Sequence, residues 1–335
     1  MTVRQHRLLT ILVAASLLDA AWLEAQVVRL PAVMPPSEQE YPGRVVSHPG
    51  PSVDLPQPLS EFVEPENPDR PPDARDGVFQ KVIYTSTWLH SGTAGGFGIA
   101  EQELKTVLGF PFPSRRSPLV VTPGFAVSYL EEPVGADLPA RVYEATVQFR
   151  WWKRFTPRFG IDFAVTPGVF SDFDESSDEA LRTPGHVAAR FEWTPNLDVV
   201  LGAAYLDRDD VSVLPIGGLV WTPHDDLKLE LVAPRPRIAR RLYWRSACTE
   251  EVEDWAYVAG EFGGGTWAIR RASGAGDVLT YHDFRVILGL ERKALGGLDG
   301  RLEIGYVFGR ELQFAGGSPD IEPEDTVMVR AGLTY

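Results

Sequence analysis

From about residue 78 to its last residue the chain keeps alternating apolar with polar side chains, and only an extended strand turns that period of two into two distinct faces. In RVYEATVQFRWW one face carries Tyr143, Ala145, Val147, Phe149 and Trp151, and the other carries Glu144, Thr146, Gln148, Arg150 and Trp152. RFGIDFAV sets Phe159, Ile161 and Phe163 against Arg158 and Asp162, and HVAARFEW sets Val187, Ala189, Phe191 and Trp193 against Arg190 and Glu192. DLKLELV opposes its leucines to Lys228 and Glu230, GRLEIGYVFGR opposes Leu302, Ile304 and Tyr306 to Arg301 and Glu303, and TVMVRAGLTY opposes Val327, Val329, Leu333 and Tyr335 to Arg330. About 12 to 15 such runs, separated by Gly, Pro and Asp clusters, predict an all-β chain. Its connections are too short for crossover helices, so neighbouring strands are antiparallel. Only GIAEQELKTVLG, residues 98–109, admits a helical reading, and its assignment stays open.

The two ends differ from this body. Residues 1–25 combine Arg4, His6 and Arg7 with an apolar run and a small-residue site at Ala25, the pattern of a secretory signal peptide. Residues 31–75 hold 12 of the 28 prolines and show no periodicity, so residues 26–76 read as a Pro-rich disordered tether ahead of a domain at 77–335. The lone Cys248 rules out an intramolecular disulfide, which leaves a large core, sheet closure or lipid to stabilise a secreted chain. A net charge of −14 argues against nucleic acid as a partner.

A soluble sandwich would alternate as well, so the polarity of the two faces decides. Eight of the nine tryptophans follow residue 87, and Trp151, Trp193, Trp221 and Trp244 stand at strand ends beside turn residues, where the interface girdle of a membrane barrel would put them. The polar face carries charges of both signs, which suits a wet lumen: Glu144, Arg150, Asp162, Arg190, Glu192, Lys228, Glu230, Glu303 and Arg330. The chain closes on a strand ending in Tyr335, a pattern similar to the C-terminal signal by which barrel-assembly machinery recognises its clients. The expected fold is therefore an antiparallel up-and-down transmembrane β-barrel of about 12 to 14 strands. Trp-Thr-Pro recurs 28 residues apart, at Trp193 and Trp221, which is one full hairpin; both should lie on one rim, with Asp207–Asp210 on the other. Between them VVLGAAYL and VLPIGGLV are apolar on both faces and Pro215 interrupts the second, predicting an edge or bulge and a lumen filled there by small side chains or by another element.

The stretch YLDRDDVSVLPIGGLVWTPHDDLKLELVAPRPRIARRLYW, with PGVFSDFDESSDEALR, HDFRVILGLERK and RLEIGYVFGRELQF, resembles an uncharacterised family of bacterial outer-membrane β-barrel proteins, a domain of unknown function, over roughly residues 80–335. The resemblance implies a barrel in the outer membrane and brings no catalytic residue, cofactor or substrate.

No catalytic motif stands out, and no two of the six histidines lie within four residues of each other, so no enzyme and no cofactor are expected. DFDESSDE offers Asp172, Asp174 and Asp178 as a weak calcium site, against the more ordinary reading of a solvated acidic loop. Arg235, Arg237, Arg240, Arg241 and Arg245 would attract anions in a lumen, bind lipid phosphates on an exterior loop, or pair with lumen carboxylates. The functional expectation is porin-like passage of small solutes; the alternatives are a structural or adhesive barrel with a closed lumen and, third, a soluble periplasmic β-protein. Outer-membrane lipid and the assembly machinery are the expected partners.

Overall fold

The computed structural model describes residues 77–335 apart from 93–95, 115–116, 132–134, 176–177, 248–249 and 295–296. The signal segment and the tether lie outside the described residues. Sixteen strands follow one another: β1 (Phe79–Leu89), β2 (Gly98–Ser114), β3 (Ser117–Glu131), β4 (Arg141–Thr156), β5 (Phe159–Val165), β6 (Gly168–Ser171), β7 (Leu181–Arg182), β8 (Gly185–Thr194), β9 (Leu197–Tyr205), β10 (Val213–His224), β11 (Leu227–Ala233), β12 (Arg237–Ala247), β13 (Glu250–Arg270), β14 (Gly276–Ala294), β15 (Asp299–Phe314) and β16 (Thr326–Thr334). One 3-10 turn, Asp178–Ala180, separates β6 from β7.

Both β5 and β6 pair with β4, and β7 and β8 pair back onto them, so each couple is a single leg bent at a Thr-Pro step, Thr166-Pro167 and Thr183-Pro184. Proline supplies no N–H to the ladder, which is why the pairing breaks there. Counted this way the sheet has fourteen legs. It closes: β1 pairs with β16, Tyr84 opposite Leu333 and Trp88 opposite Val329, and β12 pairs with β13. A closed antiparallel ring with no open edge is a barrel and excludes the sandwich. Residues 98–109 belong to β2, paired on both sides through Thr85, Glu103 and Ala126; a helix there would leave the edges of β1 and β3 bare.

The two rims differ. One carries two-residue connections at Pro157–Arg158, Pro195–Asn196 and Asp225–Asp226, together with Phe79 and Thr334 at the ends of the sheet. The other carries the long connections 90–97, 132–140, 206–212 and 315–325. Leu197 pairs with both Thr194 and Trp221, which sets Trp193 and Trp221 at one level on the short-turn rim, while Asp207–Asp210 lie in a long connection on the opposite one. Pro215 pairs with Ala203 of β9 at a point where β10 has not yet met β11, whose pairing begins at Gly217, so its missing N–H breaks no ladder on that side.

Gly218 marks a close approach of β10 to β11. Its φ is +156°, and a Cβ there would overlap the Leu231 carbonyl. Gly218→Ala is therefore expected to cost about 1–3 kcal/mol, whereas Gly300→Ala, where a Cβ would meet nothing within 4 Å, should stay within about 0.5 kcal/mol. Urea midpoints of the two variants in detergent micelles check this; equal midpoints would mean β10 relaxes around the added methyl.

Candidate functional site in the barrel interior

The barrel is inverted in polarity. Facing out are Val147, Phe163, Val187, Leu201, Leu219, Leu231, Ile238, Val258, Leu288, Ile304 and Val329, all exposed. The outward polar residues Tyr84, Ser86 and Gln102 satisfy one another, the tyrosine hydroxyl donating to the Gln102 carbonyl and the Gln102 amide donating to Ser86. All nine charges expected in a lumen lie on the inward face, alternating with these outward rows. Of the aromatics expected at the interface, Trp193, Trp221, Trp244 and Tyr335 are exposed and Trp151 is half-buried on the outward row of β4.

Inside, the charges are tied together. Glu261 of β13 accepts two hydrogen bonds from Arg330 at 2.6 and 3.0 Å and one from Arg285 at 3.0 Å, and it lies 3.1 Å from Arg235. Glu303, fully buried, takes Arg330 at 3.0 Å and the Tyr257 hydroxyl, and Asp283, also fully buried, takes Arg285 and the Tyr281 hydroxyl, each at 2.7 Å. Around the rest of the wall Arg150 donates to Asp162 with His186 beside it, Arg190 pairs with Asp198, Lys228 with Glu230, and Arg237 with Glu291 at 2.8 Å while stacking 4.0 Å above the Tyr257 ring. A carboxylate taken out of water costs several kcal/mol unless it is paired, so this density of partners is what lets the interior be charged and packed at once. Three members of the arginine cluster, Arg235, Arg237 and Arg241, take part in carboxylate pairing; Arg240 points outward.

Sequence reading missed Glu261, Asp283 and Arg285. HDFRVILGLERK carries their signal, since Asp283, Arg285 and Ile287 share one face at period two. Glu261 stood beside the glycines of GEFGGGTW, and those proved structural.

At Gly263–Gly264–Gly265 strand β13 changes direction, with Gly264 at φ +109° against the Tyr281 carbonyl. Beyond that bend the β13–β14 hairpin meets the opposite wall. Ala268 bridges in parallel to Ser171 of β6, a leg almost diametrically across the ring. The Trp267 indole donates to Glu144 of β4 at 3.1 Å, and Arg271 donates to the carbonyls of Ala136 and Asp137 at 2.7 and 3.1 Å. Trp267, Ile269 and Leu279 are buried with Phe97, Leu138, Phe170 and Phe314 in one apolar cluster that draws on the long connections of that rim. A second cluster, Val200, Ala204, Leu206, Leu214, Ile216 and Phe262, fills the interior beside the hairpin whose two faces are both apolar.

The acidic loop joins this closure. The Asp172 carboxylate accepts the backbone N–H groups of Asp174, Glu175 and Arg270 at 2.9, 2.9 and 2.7 Å, Asp178 is exposed, and no group of three metal-type side chains is assembled among the described residues. These backbone N–H groups occupy the Asp172 oxygens that the calcium reading of Asp172, Asp174 and Asp178 would draw on. The 206–212 connection also folds inward: Arg208 donates to the Tyr281 carbonyl at 3.0 Å, and His282 lies 3.2 Å from Asp210 and 3.4 Å from Glu311. Burial pushes the Asp210 carboxyl up, but the His282 hydrogen bond and the Arg208 guanidinium outweigh it and hold the group down at about 2.

No protein-family model and no curated protein matches the chain, so the family resemblance gains no support beyond the fold. Among solved structures it is similar to the β domain of the Bordetella autotransporter BrkA (13% identity, TM-score 0.36, covering 77% of this chain and 99% of that one) and to a bacterial polysaccharide outer membrane secretin (8%, 0.37, 76% and 97%). Acinetobacter baumannii OccAB3 is similar at 7% identity and TM-score 0.30, covering 76% and 97%. Likeness at that level leaves function open.

Two outcomes follow. Glu261→Ala strands three arginines and should cost about 3–5 kcal/mol, while Glu192→Ala, with no ion pair among the described residues, should stay within about 0.5 kcal/mol; urea midpoints distinguish them. Because the Asp210 carboxyl is depressed when docked, its contribution is complete above the ordinary value of 3.8 and is lost as pH falls toward 2. Hydrogen-exchange protection of 206–212 should hold from pH 7 to about 4 and fall below that, and Asp210→Asn should flatten the profile.

Proposed function

We propose that the chain is an integral outer-membrane β-barrel with a closed lumen, a structural membrane protein without a standing aqueous pathway. The membrane assignment is supported by a ring of fourteen legs whose outward rows are apolar and whose interior is charged, a surface no water-soluble barrel could present without associating. An even number of strands, short turns on the rim that holds both ends of the sheet, and long connections on the other fit a barrel with its termini in the periplasm. The signal segment would deliver the chain, β16 ending at Tyr335 would engage the assembly machinery, and lipid would cover the outer rows. We assign it no catalytic step.

Closure is carried by one observation: the β13–β14 hairpin docks on β4 and β6 across the mouth at the long-loop end. Solute passage, the second reading, draws on the mixed-sign wall below that hairpin and requires it to swing away. In planar bilayers the intact protein should give no steady current, whereas deleting residues 264–280 should produce one. A steady current from the intact protein would overturn the closed lumen, and a truncated barrel that inserts yet stays silent would sink the passage reading. Recovery of the mature chain in the aqueous fraction without detergent would overturn membrane insertion itself.

A further inference from the structure

The short-turn rim carries cations that have no carboxylate partner among the described residues. In a chain of net charge −14 most interior arginines and lysines have a carboxylate, and outward Arg292 is tied to Asp254 at 2.7 Å. Lys153 and Arg158, both at the β4–β5 turn, have no carboxylate partner among the described residues, while Arg154 follows Arg150 and Trp152 on the inward row of β4. Lys153 has aromatic rings in place of a carboxylate: it lies 5.8 Å from the Trp151 ring and 5.1 Å from Phe155.

The setting of these cations narrows the ligand. Trp151, Lys153 and Phe155 share the outward row of β4, and that row continues into exposed Phe149 and Val147. Phe159 lies 6.1 Å from Phe155 and pairs in register with Phe191, itself 6.2 Å from Trp193, so the aromatic surface runs on across β5 and β8. A ligand covering this patch must offer anionic oxygen at the turn and hydrocarbon along the strands. A lysine between two rings can keep its stem on the apolar surface and lift its ammonium to the headgroup level. Nucleic acid and acidic peptides supply the charge but no hydrocarbon.

The geometry points to a binding site for the phosphate of an anionic phospholipid at the β4–β5 turn, held by Lys153 and Arg158 over the Trp151–Phe155–Phe159 surface. It rests on the membrane reading above and goes beyond it by naming a lipid class, a leaflet and two residues. With the termini in the periplasm, the site faces the inner leaflet. Each cation near an anionic surface contributes enough that losing both should weaken binding by about thirtyfold.

The full-length protein, delipidated in neutral detergent, is titrated with phosphatidylglycerol, with phosphatidylcholine and with inorganic phosphate, and bound lipid is counted by native mass spectrometry. Phosphatidylglycerol should bind about thirtyfold tighter than phosphatidylcholine, inorganic phosphate at matched concentration should not displace it, and Lys153→Gln/Arg158→Gln should abolish the difference. Arg158→Gln alone, in the turn itself, should produce a partial loss, and a folded-form gel shift confirms that each variant still forms the barrel. Equal affinity for the two lipids, an undiminished preference in the double variant, or displacement by inorganic phosphate overturns the site. Failure of the protein to insert into detergent or bilayer at all is a different result, since it removes the membrane reading and not the preference alone.

Discussion

Everything else in this structure depends on the pairing of β1 with β16. A strand buried in hydrocarbon has no water to satisfy its N–H and C=O groups, so an open edge would cost several kcal/mol per unpaired group. The register of Tyr84 on Leu333 and Trp88 on Val329, with β12 on β13, leaves the ring no edge. Once the backbone is satisfied internally, side chains are free to put polarity on the inside. That is why one period-two pattern yields an oily exterior and a charged interior with no other device.

A charged interior then sets its own constraint. Glu303 and Asp283 have no exposed surface, and a carboxylate buried without a partner costs several kcal/mol. Arginines from neighbouring elements, Arg330 on β16, Arg285 on β14 and Arg235 ahead of β12, converge on the carboxylates of β13, β14 and β15. Such a network fixes the interior more strongly than an apolar filling would, because breaking any single member strands the others. It also fills space. The charges expected to select a passing solute are engaged with one another, so they serve packing and register before any ligand.

How much was legible in the sequence follows from how local each signal is. Alternation is a property of eight or ten consecutive residues, so the inward row of Glu144, Arg150, Asp162 and Arg190 could be read directly, as could the common level of Trp193 and Trp221. β2 was ambiguous because EQELK satisfies both periods, and only the neighbours Thr85 and Ala126 resolve it. The Arg235–Arg245 cluster divided only in the fold, since which residues face inward depends on where β12 begins. Asp172 looked like a cation ligand because a sequence lists carboxylates without their partners; the backbone of Arg270, nearly a hundred residues away, takes one of its oxygens.

The β13–β14 hairpin is the clearest case of information present but unreadable. GEFGGGTW announces a break in a strand, and nothing nearby says which way the strand then goes. The direction is set by what waits on the far wall: Glu144 for the Trp267 indole, Ser171 for Ala268, and the carbonyls of Ala136 and Asp137 for Arg271. Each contact alone is worth about 1 kcal/mol, but they act on one rigid hairpin whose apolar side buries Trp267, Ile269 and Leu279 at the same time. Three glycines lower the strain of the bend without choosing its direction, and the opposite wall supplies the choice. A segment held by distributed contacts of this kind stays shut against thermal motion and can still be displaced by anything that binds the far wall more tightly than it does.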